Sequence, residues 1–557
     1  MKGPQSLKIA CLLCLAMLPA VVQAQFTYTT NSGTITITGY TGSSGAVIPS
    51  TINGLPVTDI GRNAFYYSYV TSVIIGTNVV NIGTNAFFSC TLLTNVVMPN
   101  SVTNIASGAF YSCRSFVNVT MSTNVVNIGG GAFASDGLTN IVIPNSVTTI
   151  GSSAFASDGL TSIEIPNGVT TIGSYAFADT DLQSVTIPSS VTNIGMGAFE
   201  DCYYLPAILV DTNNLVYVSI AGVLYTKNMT TLEEYPTALG GDYSIPGSVT
   251  SIRNQAFHNC YSLTNVTIPN SVTNIGSAAF VGCGLTNILI PASVTSIGSG
   301  AFQGNLHLTT ITVDSNNPAY MSVAGVLFDK NKTTLITYPA GRGGSYTIPD
   351  GVSNIASSAF IMCLNLTNVV ICNSVTNVGD AAFSSCLSLT SVVIPNSVTN
   401  IGNIVFDNCS SLTSITIPAS IKSIGGAAFE SCYKLTRVYF EGNAPNSSWE
   451  SFLGDNNAIV YRLSWATGWN TTFASLPVTL WLPEVQTSNS SFGVSTNGFG
   501  FNIKWVSGTV VVVDACTNLS NPNWQPVRTN MLTTGSAYFN DPQWTNYPGR
   551  FYRLRSP

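Results

Sequence analysis

Apolar residues recur along this chain in a fixed phrase. Between residues 263 and 280 they fall at Leu263, Val266, Ile268, Val272, Ile275 and Phe280, separated mostly by Thr, Asn, Ser and Gly. The closing Phe serves as a ruler: Phe65, Phe87, Phe110, Phe133, Phe155, Phe177, Phe199, Phe257, Phe280, Phe302, Phe360, Phe383, Phe406 and Phe429. The steps between them are 22 or 23 residues, except for two of 58. A constant period in this range marks a solenoid, in which each repeat is one coil stacked on the last.

Within a coil, the alternation Val266, Thr267, Ile268 predicts a half-buried strand. Pro269 ends it, because Pro has no N–H for a continuing ladder. Gly276 marks a corner, and the following S-A-A-F-x-x-C predicts a short helical turn in which small Ala279 permits close packing. A single coil buries too little to fold alone. Neighbours complete it by covering both flat sides and supplying parallel inter-strand hydrogen bonds.

The phrase I-P-x-S-V-T-x-I-G-x-x-A-F-x-x-C-x-x-L-T-x-V resembles the leucine-rich repeat of the BspA-like surface proteins. It extends from residue 47 to about 440, and every anchor Phe follows an Ala except Phe406, which follows Val405. The resemblance implies a mainly β, right-handed leucine-rich-repeat solenoid, on an exported bacterial protein that binds other macromolecules. The anchors give about 14 coils, with parallel strands on one face and short helical turns on the other.

The ends depart from this pattern. Lys2 and Lys8 precede an apolar run from Ile9 to Val22, and Val22-Gln23-Ala24 reads as the end of a signal peptide, residues 1–24, cleaved before Gln25. The run is shorter than a membrane span, and neither Cys11 nor Cys14 sits at its end as a lipid anchor would require. No later stretch reads as a span. Residues 25–60 hold two alternating stretches around Asn31-Ser32-Gly33, a hairpin expected to cap the open first coil. The array itself is assigned to residues 61–436.

Each 58-residue step contains one copy of the same insertion, 210–246 and 313–349, sharing D-x-N-N, S-x-A-G-V-L and K-N-x-T-T-L at a constant offset of 103. Both copies are expected to protrude as β-hairpins. A calcium loop at Asp211 and Asn213, or at Asp314 and Asn316, would need more carboxylates than these segments offer. All seven Trp lie beyond residue 448, and the period ends at Phe429. Residues 437–483 therefore read as an irregular closing coil. Glu484 to Ser490 read as a polar linker, and 484–557 as a small separate β-domain, with strands suited to a sandwich.

Only 8% of the residues are charged, against about a quarter in ordinary domains. The surface is thus carried by Ser, Thr, Asn and Gly. The net charge of −6 becomes −8 once Lys2 and Lys8 leave with the signal peptide. With no basic run, nucleic acid and anionic membrane are poor partners.

Nine Cys sit three residues after an anchor Phe: Cys90, Cys113, Cys202, Cys260, Cys283, Cys363, Cys386, Cys409 and Cys432. Ser68, Asp136, Asp158, Thr180 and Asn305 take that place in other coils. A position open to all of these is a small polar bonder to loop backbone. Metal ligands must converge on a point, whereas these residues line up along an axis. His258 and His307 fall at variable positions outside any motif, which gives them a structural or solvent role. No nucleophile elbow, zincin, Walker or dinucleotide motif is present, and no cofactor or metal is expected.

The remaining candidate is the strand face, whose outward residues follow from alternation. They include Asn95 and Val97, Asn118 and Thr120, Asn140 and Val142, Asn265 and Thr267, Asn287 and Leu289, Asn368 and Val370, and Arg437 and Tyr439. Glu164 and Arg437 are nearly its only charges. Such a ladder either supports the fold alone or forms a broad, nearly neutral binding surface. The reading adopted is a monomeric, non-catalytic protein, secreted or on the cell surface, that binds a protein or polysaccharide. The alternatives are a structural spacer of an outer layer and, third, a carbohydrate-active enzyme using Glu164.

Overall fold

A computed structural model of the chain describes residues 25–42, 44–488 and 490–556. The signal peptide assigned to residues 1–24 lies outside them. Two compact units result, one running to Asn331 and including Pro339–Gly341, the other comprising Lys332–Tyr338 and Arg342–Pro557.

In the first unit every regular coil has three sides. The first carries a parallel ladder: Ala46–Val47, Ser72–Ile74, Asn95–Val97 and Asn118–Thr120 lie in register. The second carries two-residue strands, among them Asn104–Ile105, Asn127–Ile128, Thr149–Ile150 and Thr171–Ile172, in one continuous sheet. Inward residues such as Val96 and Ile105 are fully buried. Between these sides the Pro makes a turn, with Val272 N–H donating to the Pro269 carbonyl at 3.1 Å. At the next corner a Cβ on Gly276 would sit 2.6 Å from the Arg253 carbonyl carbon. Glycine gives this coil that close approach, and Ala106, Arg253 and Ala356 take the place in three other coils.

The third side corrects the expected helical turn. In the signature coil, Ala279 N–H bonds back to Gly276 O at 3.3 Å and Val281 N–H to Ala278 O at 3.2 Å. The N–H groups between them leave the coil: Ala278 donates to Ser299 O at 3.0 Å and Phe280 to Ala301 O at 2.8 Å. This alternation requires left-handed residues, Ala278 at φ 54° and Gly282 at φ 66°. A helix would spend its donors internally. Here every second donor ties one coil to the next, which offsets the roughly 1 kcal/mol that a left-handed alanine costs.

The anchor rings form a stacked column. Phe87, Phe110, Phe133, Phe155, Phe177 and Phe199 follow one another at 5.1 to 5.6 Å between centroids. At its start, Tyr40 stacks on Phe65 at 4.9 Å.

The first insertion differs from the expected simple hairpin. Tyr217–Ile220 and Val223–Thr226 do form an antiparallel pair. Thr231–Glu234 then joins the second ladder beside Ser251–Ile252, and Gly241–Ser244 joins the first beside Leu263–Thr267. Tyr235 takes the anchor place, 4.9 Å from Phe257. The insertion is thus a hairpin followed by a short extra coil. Its D-x-N-N motif is structural: Asp211 accepts from Asn213 N–H at 2.8 Å, and buried Asn214 donates to Pro188 O and accepts from Tyr217 N–H, each at 2.8 Å.

In the second unit Tyr338 likewise stacks on Phe360 at 4.9 Å, and the column continues through Phe383, Phe406 and Phe429 to Phe452. The closing coil adds Ile459–Arg462 and Leu476–Leu480 to the ladder of Arg437–Phe440. Residues 484–486 are a strand paired with Gly498–Lys504, not a linker. Two antiparallel sheets follow, one centred on Gly498–Lys504 and one on Thr509–Cys516. They share a core of Phe501, Ile503, Val511, Val513 and Phe539, which Leu463 and Ala466 of the closing coil also enter.

Candidate functional site on the strand face

Asn95, Asn140, Asn265, Asn287 and Arg437 are exposed, whereas Asn368 and Tyr439 are half-buried. Asn95 and Asn118 lie in register on adjacent strands. Tyr439 is held between two rings, Tyr461 at 5.0 Å and Trp481 at 4.7 Å. The face does not behave uniformly along its length. Residues 140–143 and 162–165 keep their place in the stack but form no strand pairs.

A cleft of 860 Å³ opens there, lined by Val119, Met121, Asn140, Val142, Asn145, Glu164 and others. A second hollow of 360 Å³ shares Asn145, Glu164 and Pro166 with it and extends to Asp211. Val142 is 77% exposed at its rim. No basic side chain pairs with Glu164 among the described residues. The cleft thus offers amides, hydroxyls, one carboxylate and a few aliphatic groups, in a surface with almost no other charge.

In the two coils of the cleft the buried small polar position changes chemistry. In most coils Sγ–H donates to the anchor carbonyl of the coil before: Cys90 to Phe65 O at 2.9 Å, Cys113 to Phe87 O at 3.0 Å. Asp136 and Asp158 instead accept, from Cys113 N–H at 2.7 Å and Asp136 N–H at 2.8 Å. Their other carboxyl oxygens are buried without a partner. Burial pushes the Asp158 carboxyl up to about 8. Asp136 is also raised well above the usual carboxylate range, by burial and then by the charge of Asp158.

One cluster escaped the sequence reading. Across the short extra coil, His258 Nδ1 lies 2.7 Å from Glu200 Oε1 and 3.6 Å from Asp201 Oδ1. Burial alone would lower the imidazole, but the Asp201 and Glu200 carboxylates beside it outweigh that and raise it to about 9. The insertion separates these residues by 58 positions, so no local motif could reveal them. Among the described residues no helix is long and apolar enough to cross a membrane.

The model for the BspA type leucine rich repeat region matches residues 58–169, 127–233, 241–341 and 344–458, in six copies. The chain belongs to this leucine-rich repeat family. Two solved structures are similar to this leucine-rich repeat protein. A leucine rich cell surface protein from Faecalibacterium prausnitzii A2-165 is 28% identical, over 79% of this chain and 93% of that one, with a TM-score of 0.39. A leucine-rich repeat protein from Eubacterium ventriosum ATCC 27560 is also 28% identical, over 72% and 91%, with a TM-score of 0.40. No curated protein matches the chain.

Proposed function

We propose that this leucine-rich repeat protein is a non-catalytic binding scaffold outside the cell, gripping a protein or polysaccharide partner along its strand face. The cleft around Asn140, Val142 and Glu164 carries this reading. It is concave and faces outward, and its carboxylate and amides suit a partner rich in hydroxyl or backbone donors. Asn95, Asn118, Asn265, Asn287, Asn368, Arg437 and Tyr439 extend the contact over neighbouring coils, the usual use of a repeat surface. Membership of the BspA-type family and a similar structure described as a leucine rich cell surface protein support the extracellular setting.

The test is capture by the immobilised mature chain from a glycan array and a panel of extracellular proteins. Val142→Glu and Glu164→Gln should each weaken capture while leaving the melting temperature unchanged. Capture indifferent to both changes would favour the spacer reading. Turnover of a captured glycan, lost in Glu164→Gln, would replace binding with catalysis.

A further inference from the structure

The extra coil of the first insertion is short. Regular coils stack their third sides directly, as when Asp179 N–H donates to Glu200 O at 2.8 Å and Asn259 N–H to Val281 O at 2.8 Å. Between Phe199 and Phe257 that side is bridged by side chains instead. Phe199 N–H bonds to the buried Glu234 carboxylate at 2.9 Å, and Asn259 Nδ2 donates to Asp201 Oδ1 at 2.9 Å. Glu200, Asp201 and His258 meet in this gap, one donor atom from each lying within 4.8 Å of the other two.

The contacts are ionic in distance but not hydrogen bonds in direction. His258 Nδ1 and Glu200 Oε2 are both buried without a hydrogen-bond partner. The Glu200 side chain is 10% exposed. Ligands around a first-row cation with bonds near 2.1 Å are separated by about 3 to 3.5 Å, and the 2.7 and 3.6 Å separations from Nδ1 bracket that range. Glu234 is buried beside Glu200, and Glu233 is paired with Arg253. The fold does not demand the set, because 103 residues on the same positions hold Gln303, Gly304 and Ile361.

We propose that Glu200, Asp201 and His258 form a divalent transition-metal site that clips the coils on either side of the short one. Zinc fits the donor set, one imidazole and two carboxylates, with water as its remaining ligand. Asn259 holds the Asp201 carboxylate in place from outside the coordination sphere.

Tag-free mature chain, stripped with chelator, would be titrated calorimetrically with Zn²⁺ and spectroscopically with Co²⁺. One ion per chain is expected, with cobalt d–d bands showing nitrogen and oxygen ligation and a rise in melting temperature on adding zinc. His258→Ala and Glu200→Gln should abolish uptake, Asn259→Ala should weaken it about tenfold, and His307→Ala should leave it unchanged. Absence of cobalt bands from the folded wild-type chain overturns the site and leaves an ion pair only. Uptake that survives both His258→Ala and Glu200→Gln overturns it equally.

Discussion

The coils that begin at Phe87 and Phe110 and those that begin at Phe133 and Phe155 share one column and one second-side ladder, yet their strand faces differ. The first pair is laddered at Asn95–Val97 and Asn118–Thr120, and the second pair is not laddered at all on that side. Length alone does not explain this. The second pair advances by 22 residues rather than 23, but the coil from Phe177 is equally short and its Val185–Ile187 still pairs with Ile208–Val210. The distinguishing residues are Asp136 and Asp158. Where a thiol gives a proton to an anchor carbonyl, a carboxylate takes one from the backbone of the coil before. Ring column and second ladder therefore hold the stack, which leaves the strand face free to open.

If the column supports both regions, removing a ring should hurt both alike. Phe87→Ala and Phe155→Ala each empty a fully buried site, and each should cost about 3 to 5 kcal/mol, read as the loss in urea midpoint. A much smaller cost for Phe155→Ala would show that the open coils are held by something else.

The carboxyl groups predict a pH dependence confined to the open region. Asp158 and Asp136 are raised in the fold above their unfolded value of 3.8. Their contribution to stability is therefore complete below pH 4 and is lost as pH climbs toward about 8, where Asp158 ionises in the fold. The slope between is about 1.4 kcal/mol per pH unit for each acid that is neutral when folded and ionised when unfolded. Asn305 shows the neutral solution, its Nδ2 donating to Phe280 O at 2.7 Å. Asp136→Asn with Asp158→Asn should flatten the profile and stabilise the chain at pH 7.5 more than at pH 5. Identical profiles for wild type and variant would mean that both acids are ionised in the fold. Asp136→Cys with Asp158→Cys goes further and should restore the ladder. Closure should be visible as slower amide exchange at residues 140–143 and weaker partner capture.

The repeat and its inward residues were legible because a period of 22 or 23 residues leaves few other solutions. Besides the cluster of Glu200, Asp201 and His258, four things were not. S-A-A-F suits a helical turn as well as the alternating turn observed, and left-handed Ala278 gives no sequence signal. The extra coils were hidden because Tyr235 and Tyr338 stand where the ruler expected Phe. Asp136 was grouped with Cys113 as a small polar bonder, since position shows that a group bonds but not whether it gives or takes the proton. Strand 484–486 looked like a linker because its residues are polar, and only pairing with Gly498–Lys504 reveals it.

The smallest expected effect lies in the closed coils. Replacing Cys113 by Ala removes the Sγ–H donor to Phe87 O and leaves that carbonyl only the Cys90 N–H at 3.2 Å, which should cost on the order of 1 kcal/mol. Cys113→Ser keeps a donor and should cost less. The same geometry bears on oxidation, because all eleven Cys of the described residues are buried and free. Stacked strands place equivalent atoms roughly 4.8 Å apart, but in-register Cβ atoms point in parallel, and a disulfide wants them near 3.8 Å. Bridging Cys386 to Cys409 would also pull their thiols from Phe360 O and Phe383 O, which they now reach at 3.1 and 3.3 Å. Burial further suppresses the reactive thiolate, pushing Cys202 up to about 12. Thiol counting on denatured, non-reduced protein should therefore find at least the nine thiols of the repeat, and a count near one would mean that the coils yield to pairing after all.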